Sequence, residues 1–296
     1  MTIKYLVLSG GGAGGYAAYG AVKYLSQSYF NIENVKYIYA TSIGALLSVL
    51  LSMGYEWKTL DDYIIKRPWD KEFSIKPMNI LNILNDKGLF NIDIIKVILK
   101  PLLTAKNLSE SITLKEFYEF NNVEIHVYTV NINGSLPSKI DFSYKTHPDL
   151  ELCKAIYMSA SLPVIFTPLC DNSGCFIDGG LLNNFPLDDC IVDVKKNGDD
   201  MQDILAFKIV QNNIDINISD ESEIHIYLYN LINGIRKLAS TENSQTDISN
   251  IVYCKLDNNN LNFWNNILYD ENLRKQTIEC GEKCGEEFLR GALYSF

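Results

Sequence analysis

The sequence predicts an α/β fold with three layers, α/β/α, around a mainly parallel central sheet. Residues 1–54 read as strand, helix, strand, helix. Further short apolar runs of the strand type follow, and helical patterns fill much of the chain between them; these runs lie near 123–132, 139–143, 175–177 and 204–210. Strands joined by helices are typical of parallel sheets that are covered on both faces.

Composition supports a globular protein with a substantial core. The chain has 296 residues, of which 47% are hydrophobic and 21% charged, which predicts one large domain or one domain with an appendage. Its formal net charge is −10. This charge disfavours nucleic acid as a partner and disfavours simple electrostatic adsorption to an anionic membrane.

Cysteine usage and the N-terminus bear on the compartment. The chain has seven cysteines, an odd number, with no C-x-x-C pair, which predicts free thiols in a reducing compartment. The N-terminus shows no basic region followed by a long apolar segment, so we expect no signal peptide. No segment approaches the roughly 20 apolar residues of a membrane span. We therefore expect a cytoplasmic protein, soluble or peripheral to a membrane.

The first strand ends in the glycine-rich stretch LSGGGAGG, residues 8–15. Glycines at such a junction present backbone N–H groups to a negative charge, either a phosphate or an oxyanion. Gly10, Gly12 and Gly15 fit the G-x-G-x-x-G spacing of dinucleotide-binding folds. That fold should place an acidic residue at the end of the second strand, and here the second strand ends differently.

The second strand leads into ATSIGA, residues 40–45, and then into an apolar helix. Ser42 lies between Ala40 and Gly44, and small residues at these positions let a strand and a helix approach at a strained turn. The pattern is typical of a serine nucleophile, although a helix N-cap serine gives the same pattern. Ala40 replaces the first glycine of the strict G-x-S-x-G motif.

Residues 55–120 are predicted to be mostly helical, with breaks at Pro68, Pro77 and Gly88. The stretch NIDIIKVILKPLL has a broad apolar helical face. This face favours a helix of the core over a lid beside a substrate site.

A serine nucleophile in this chain lacks an obvious histidine. Structural or solvated roles are favoured for the three that are present, His126, His147 and His225. The best alternative base is Asp178, which follows the strand CFI and precedes Gly179 and Gly180. A simple Asp-Gly hairpin turn is the competing interpretation, but it does not explain why the turn follows KAIYMSASLPVIFTPL.

Beyond residue 210 the pattern loosens. The acidic stretch QNNIDINISDESE predicts a loop and a boundary, and it lacks the glycine turn of a calcium-binding loop. The stretch IHIYLYNLINGIRKLAST predicts a helix. The last 26 residues predict a terminal helix interrupted by Gly281 and Gly285.

Four segments together resemble the patatin-like phospholipase family: the glycine triplet 10–12, the turn around Ser42, residues 155–169, and DGGLLNNFP at 178–186. The resemblance covers roughly residues 3–190 and implies a patatin-like fold. It implies that Ser42 is the nucleophile and that Asp178 is its base. It further implies that an oxyanion hole is formed by the backbone N–H groups of Gly10, Gly11 and Gly12, with no metal and no cofactor.

The resemblance also implies the substrate, a phospholipid or lysophospholipid at a membrane or micelle surface. Together with the looser pattern after residue 210, it predicts a catalytic domain over 1–210 and a mostly helical extension over 211–296 that packs on the same domain. Gly14 stands where the family usually carries Arg or Lys. This departure and Ala40 motivate an alternative, a catalytically weak protein that binds lipid or a protein partner. A requirement for an activating protein partner also stays open.

Overall fold

The computed structural model describes residues 2–74, 85–211, 218–220, 224–240, 248–257 and 259–293. Eight strands of this part of the chain form one sheet. In order of hydrogen-bonded neighbours they are β10 (Ile251–Leu256), β9 (Ile204–Gln211), β1 (Tyr5–Leu8), β2 (Tyr37–Thr41), β4 (Glu124–Asn131), β8 (Gly174–Asp178) and β7 (Leu169–Asp171), with β5 (Ser138–Phe142) also paired to β4. The five strands from β10 to β4 are parallel, whereas β5 and β8 run antiparallel to β4. Two further short strands, β3 (Gly88–Phe90) and β6 (Val164–Phe166), pair separately.

Eleven α-helices are assigned among the described residues. They are α1 (Gly15–Ser28), α2 (Ile43–Ser52), α3 (Trp57–Lys66), α4 (Trp69–Glu72), α5 (Asp93–Ala105), α6 (Leu114–Asn121), α7 (Leu152–Ala160), α8 (Leu187–Asn197), α9 (Ile224–Ser240), α10 (Leu261–Tyr269) and α11 (Glu271–Leu293). In this part of the chain no helix is both long enough and apolar enough to cross a lipid bilayer.

Both faces of the central sheet are covered, as strand β1 illustrates. Its side chains alternate: Leu6 and Leu8 enter a large core cluster that includes residues of α1, α2 and α5, while Tyr5 and Val7 enter a smaller cluster with residues of α8. Strands with apolar residues on both sides are expected where helices lie on both faces of a sheet. The predicted three-layer α/β/α architecture with a mainly parallel sheet is confirmed.

Most predicted elements are present close to their expected bounds. Helix α5 contains the stretch with the broad apolar face, and its six buried residues are Ile94, Ile95, Ile98, Leu99, Leu102 and Leu103. The preference for a core helix over a lid is therefore confirmed. The predicted break at Pro77 and most of the acidic loop 211–223 lie outside the described residues.

The expectation of an interrupted terminal helix is wrong, because α11 is continuous through Gly281 and Gly285. Helix α11 packs on α1, and a Cβ on Gly281 would lie 1.8 Å from the Ala17 carbonyl oxygen. On the other helix, a Cβ on Gly20 would lie 2.1 Å from the Ile278 carbonyl oxygen. These glycines therefore permit close packing of two helices and do not break α11.

The expectation of seven free thiols is wrong for one pair. Cys170 and Cys175 are joined by a disulfide. The antiparallel pairing of β7 with β8 places these two residues directly opposite each other, which a count of cysteines cannot reveal. The remaining cysteines are free, namely Cys153, Cys190, Cys254, Cys280 and Cys284.

Strands β2 and β8 meet end to end on one edge of β4. Thr41, the last residue of β2, pairs with Tyr128, and Asp178, the last residue of β8, pairs with the next residue, Thr129. Strand β5 occupies the other edge of β4 across both positions. Because β2 and β8 run in opposite directions, their C-terminal ends come together, and the residue after Thr41 is brought beside Asp178.

Candidate active site

Ser42 occupies a sharp turn between β2 and α2. Its backbone has φ 57° and ψ −122°, a conformation that costs a non-glycine residue about 1–3 kcal/mol and that often occurs at functional sites. The turn is held from α7, because the Ser42 N–H donates to Ser159 Oγ at 2.9 Å and Ser159 Oγ donates to the Tyr128 carbonyl oxygen at 2.6 Å. Small residues are required around it, since a Cβ on Gly44 would lie 2.5 Å from the Leu8 carbonyl oxygen.

Asp178 contacts Ser42 directly. Ser42 Oγ donates a hydrogen bond to Asp178 Oδ2 at 2.6 Å. The second carboxylate oxygen, Oδ1, accepts from the Gly180 N–H at 2.7 Å, and the Asp178 N–H donates to the Ser161 carbonyl oxygen at 2.9 Å. The hydroxyl and the carboxylate are therefore held in one geometry by the ends of β2, β8 and α7.

The environment of Asp178 makes its carboxylate more basic than usual. Only 8% of the residue is exposed. Burial raises the pKa of Asp178, while hydrogen bonds from Ser42 and Gly180 and the charge of Arg236 partly oppose the rise. Arg236 belongs to α9, which packs on the turn formed by Gly179–Leu181. A cation therefore lies close to the Ser42–Asp178 pair.

The glycine loop lies beside this pair. A Cβ on Gly10 would be 3.2 Å from Ser42 Cβ. The Gly10 N–H donates to the Asn184 carbonyl oxygen at 2.9 Å, so this amide is already engaged. In the described part of the chain, no acceptor bonds the N–H of Gly11 or Gly12. These two amides are therefore available to an incoming oxygen.

The sequence pattern of the family described as Patatin-like phospholipase matches residues 6–191, well over half of the chain. The chain belongs to the patatin-like phospholipase family. It is therefore a member of a family of lipid hydrolases.

Two viral relatives and one solved structure are similar to this family member. Over 186 residues it is 33% identical to "Probable lipid hydrolase 463L" of Invertebrate iridescent virus 6, with 62% of each chain covered. Over 185 residues it is 26% identical to "Uncharacterized protein R571" of Acanthamoeba polyphaga mimivirus, and this match covers 62% of this chain and 60% of R571. Each match thus spans about three fifths of the relative.

The structural comparison is with VipD from Legionella pneumophila. The TM-score is 0.50 at 16% sequence identity, and the match covers 96% of this chain and 67% of VipD. At this identity the likeness shows a shared fold.

The structure explains one departure from the family pattern. Gly14, which stands where family members usually carry Arg or Lys, is buried. A Cβ at this position would lie 2.6 Å from Ile209 Cγ2 and 3.1 Å from Leu256 Cδ1. The packing of β9 and β10 side chains on the loop therefore leaves no room for a long basic side chain.

Two of the three histidines contact residues outside the Ser42–Asp178 pair. His126 stacks on Tyr39 and lies between Asp141 at 2.8 Å and Glu124 at 3.2 Å. Burial lowers the pKa of His126, but the hydrogen bonds to Asp141 and Glu124 outweigh burial and raise the pKa to about 9. His147 is exposed and contacts Thr146 Oγ1. The side chain of His225 lies outside the described residues.

Among the residues that the structure describes, no group of three or more His, Cys, Asp or Glu side chains is arranged to hold a metal ion.

Several residues around the pair were not identified from the sequence. Ser159 holds the turn at Ser42, Asn184 holds Gly10, and Arg236 lies beside the Asp178 turn. Ser159 and Asn184 fall within the segments that carry the family resemblance, so a search of those segments for side chains that bond backbone groups could have found them. Arg236 follows Asp178 by 58 positions, and no local pattern links the two.

Proposed function

We propose that this chain is a serine acyl hydrolase of the phospholipase A or lysophospholipase type that works without calcium. Ser42 is the nucleophile and Asp178 its base. The observation that carries the proposal is the 2.6 Å hydrogen bond from Ser42 Oγ to Asp178 Oδ2 at a strained turn. A nucleophile within hydrogen-bond reach of a base that is itself held in place is the arrangement that activates a weak hydroxyl.

The reaction follows from these positions. Asp178 Oδ2 takes the Ser42 proton as Oγ attacks the acyl carbon, and the carbonyl oxygen becomes an oxyanion. The N–H groups of Gly11 and Gly12 donate to that oxyanion, while Gly10 keeps the loop against Asn184. The ester C–O bond then breaks, and Asp178 returns the proton to the leaving alcohol. Water then attacks the acyl-enzyme while Asp178 takes its proton. The bond between the acyl carbon and Ser42 Oγ breaks, Asp178 returns the proton to Oγ, and the fatty acid is released.

The raised pKa of Asp178 supports its role as a base. A carboxylate with the ordinary pKa of about 3.9 is a weak base towards a hydroxyl. Burial strengthens it in the required direction. The hydrogen bond from Gly180 then keeps the second carboxylate oxygen from taking part in the proton transfer.

Arg236 supports a substrate that carries a phosphate. A Cβ on Gly180 would lie 3.6 Å from Arg236 Cδ, so the stem of the arginine crosses the turn next to Asp178. In the described part of the chain no carboxylate forms an ion pair with its guanidinium. A guanidinium binds phosphate oxygens strongly. We therefore assign to Arg236 the charge that Gly14 does not supply, which favours glycerophospholipids over neutral acylglycerols.

Fatty-acid release from mixed phospholipid micelles tests the proposal. Ser42→Ala and Asp178→Asn should each lower kcat by about a thousandfold or more, with folding confirmed by circular dichroism. Asp171→Asn is the matched control, because Asp171 is exposed in the hairpin that ends at Asp178; it should keep full activity. His126→Gln and His147→Gln should retain most activity, and EDTA should not change the rate.

The outcomes separate enzyme from binder. A histidine variant that loses as much activity as Asp178→Asn, while still folded, would contradict the assignment of the base. A folded wild-type protein that releases no fatty acid from several lipid classes, including in lysate of its native host, would favour the catalytically weak lipid- or partner-binding alternative.

A further inference from the structure

We propose that Asn259, fixed in place by Trp264, is a positioning residue that aims the Gly12 N–H at the substrate oxyanion. The inference rests on the proposed acyl-hydrolase function. Both residues lie beyond the family match at 6–191, in a part of the chain to which neither the family pattern nor the predicted motifs give a role.

Asn259 holds the carbonyl group of Gly11. Its Nδ2 donates to the Gly11 carbonyl oxygen at 2.7 Å, and the Gly14 N–H donates to the same oxygen at 3.0 Å. A carbonyl oxygen has two lone pairs, so these donors use its full capacity. Asn259 is only 6% exposed. Turning the Gly11 carbonyl outward would break two hydrogen bonds and leave a buried amide donor without a partner, which is costly.

The peptide plane carries this constraint to the next amide. A trans peptide is planar, so its C=O and N–H point in opposite directions. Holding the Gly11 carbonyl towards Asn259 and Gly14 therefore points the Gly12 N–H away from them. That N–H has no acceptor among the described residues, and the loop lies beside Ser42. The fixed peptide is thus a preorganised oxyanion donor, which is the feature that makes such donors effective.

Trp264 fixes the orientation of the Asn259 amide. The indole Nε1–H can only donate, and it donates to Asn259 Oδ1 at 2.7 Å. Oδ1 must therefore face Trp264, which leaves Nδ2 to face Gly11. The Tyr229 hydroxyl donates to the Asn259 carbonyl oxygen at 3.2 Å, and its ring packs edge-on against the indole. The side chain and the backbone of Asn259 are both held.

Trp264 also packs directly on the glycine loop. A Cβ on Gly12 would lie 1.8 Å from Trp264 Cζ2, and Gly12 has φ 53°. Glycine is therefore required here by contact and by backbone conformation. The same indole thus restrains the Gly12 Cα and, through Asn259, the peptide bond before it.

The test compares two isosteric changes at adjacent residues. Asn259→Asp keeps the shape but replaces the Nδ2 donor by an oxygen that repels the Gly11 carbonyl. Asn260→Asp is the matched control, because Asn260 caps α10 through Oδ1 at 2.9 Å from the Phe263 nitrogen and Asp caps helices as well as Asn. Trp264→Phe is the second variant; it removes the Nε1 donor and retains most of the packing on Gly12.

The measurements are kcat and KM for fatty-acid release, and affinities for two lipid analogues. A trifluoromethyl ketone forms a tetrahedral adduct with the serine and needs the oxyanion donors, whereas an unreactive ether lipid does not. Asn259→Asp should lower kcat and the affinity for the ketone in parallel, by about 10- to 100-fold. KM and the affinity for the ether lipid should change less than about threefold. Trp264→Phe should show a smaller loss of the same kind, and Asn260→Asp none.

Three results would contradict the inference, and a fourth would contradict the proposed function. A kcat of Asn259→Asp within twofold of that of Asn260→Asp would overturn the inference. Equal losses of affinity for both analogues would also overturn it, because they indicate a general structural role. A crystal structure of Asn259→Asp in which the Gly11–Gly12 peptide keeps its wild-type orientation would also overturn the inference, independently of activity. A wild-type protein that neither hydrolyses lipid nor binds the ketone would instead contradict the proposed function on which the inference depends.

Discussion

At the scale of single residues, Asp178 determines how activity should depend on pH. Burial raises the pKa of this carboxyl above its usual range, and only the ionised form accepts the Ser42 proton. We expect kcat/KM to fall as the pH is lowered through this raised pKa, with a midpoint clearly above the ordinary value of about 3.9. A pH profile of kcat/KM on a soluble ester measures it, and an acid limb at or below the ordinary value would contradict the role of Asp178 as a buried base.

The raised pKa of Asp178 also predicts how stability depends on pH: protonation of this carboxyl should stabilise the fold although it should remove activity. A carboxyl whose pKa is raised by folding stabilises the fold in its protonated form. Its contribution is complete below the unfolded pKa and is lost as the pH rises through the folded pKa. Asp178→Asn should therefore unfold at the same or a higher temperature than the wild type at pH 7, although we expect it to lose activity. A Tm several degrees below the wild type would show that the ionised carboxylate stabilises the fold.

Arg236 provides a prediction about substrate preference. Arg236→Gln should lower kcat/KM for phosphatidylcholine by about tenfold or more, because charge-assisted hydrogen bonds are worth about 1.5–3 kcal/mol, and should change kcat/KM for a neutral diacylglycerol less than twofold. Because loss of the Arg236 charge raises the pKa of Asp178 further, the comparison is made on the part of the pH profile where kcat/KM of each variant no longer changes with pH. Arg290→Gln is the control, since Arg290 is exposed and paired with Glu286. Equal losses on both substrates would mean that Arg236 acts on Asp178 and not on phosphate.

The residues of the candidate site differ in how far the sequence predicts them. Ser42 and Asp178 lie in short patterns, each at the end of a strand, so the sequence indicates both. The engagement of the Gly10 amide is not visible there, because its acceptor is the carbonyl of Asn184, which is 174 positions away. Asn259 contacts Gly11 across 248 positions, and Arg236 follows Asp178 by 58 positions. Local patterns thus predict the candidate nucleophile and base, and long-range packing decides which residues surround them.

At the scale of elements, the crossing of α1 and α11 can be tested with two glycines of one helix. Gly281→Ala should lower the free energy of unfolding by about 2 kcal/mol or more, because its Cβ would overlap the backbone of Ala17. Among the described residues no atom lies within 4 Å of a Cβ on Gly291, so Gly291→Ala should be neutral or stabilise by up to about 1 kcal/mol. Urea denaturation measures both. Equal effects would mean that the two helices are not in close contact at Gly281.

Two elements differ from the expectation of the sequence, each for its own physical reason. Strand β10 was not predicted, yet it is an outer strand of the sheet, with alternate residues buried. Its six residues follow a stretch without periodicity, so the alternation is too short to stand out. The sequence does not predict a continuous α11, because glycine is a weak helix former. The close packing of α11 on α1, which Gly281 permits, compensates for this weak helix propensity. Tertiary packing overrode local propensity in α11, whereas β10 is too short for its pattern to be recognised.

At the scale of the whole molecule, the two parts of the chain meet at the candidate site. The Ser42–Asp178 pair and the glycine loop come from the first 180 residues, most of which carry the family pattern. Arg236, Asn259 and Trp264 come from the last third and contact the same turn and loop. The predicted division at residue 210 stays a prediction. The contacts nevertheless indicate that residues after 210 help to shape the site.

The central claim is that Ser42 is a nucleophile activated by Asp178, and reaction with a fluorophosphonate tests it most directly. The reagent mimics the tetrahedral state and requires an activated hydroxyl as well as an exposed one. Intact-mass spectrometry should show one phosphonyl group per wild-type chain, peptide mapping should place it on Ser42, and Ser42→Ala should not react. Asp178→Asn should react at least about a hundredfold more slowly, with Asp171→Asn at the wild-type rate. A wild-type protein that stays unlabelled while folded, or labelling of Ser42 that is equally fast in Asp178→Asn, would contradict the account.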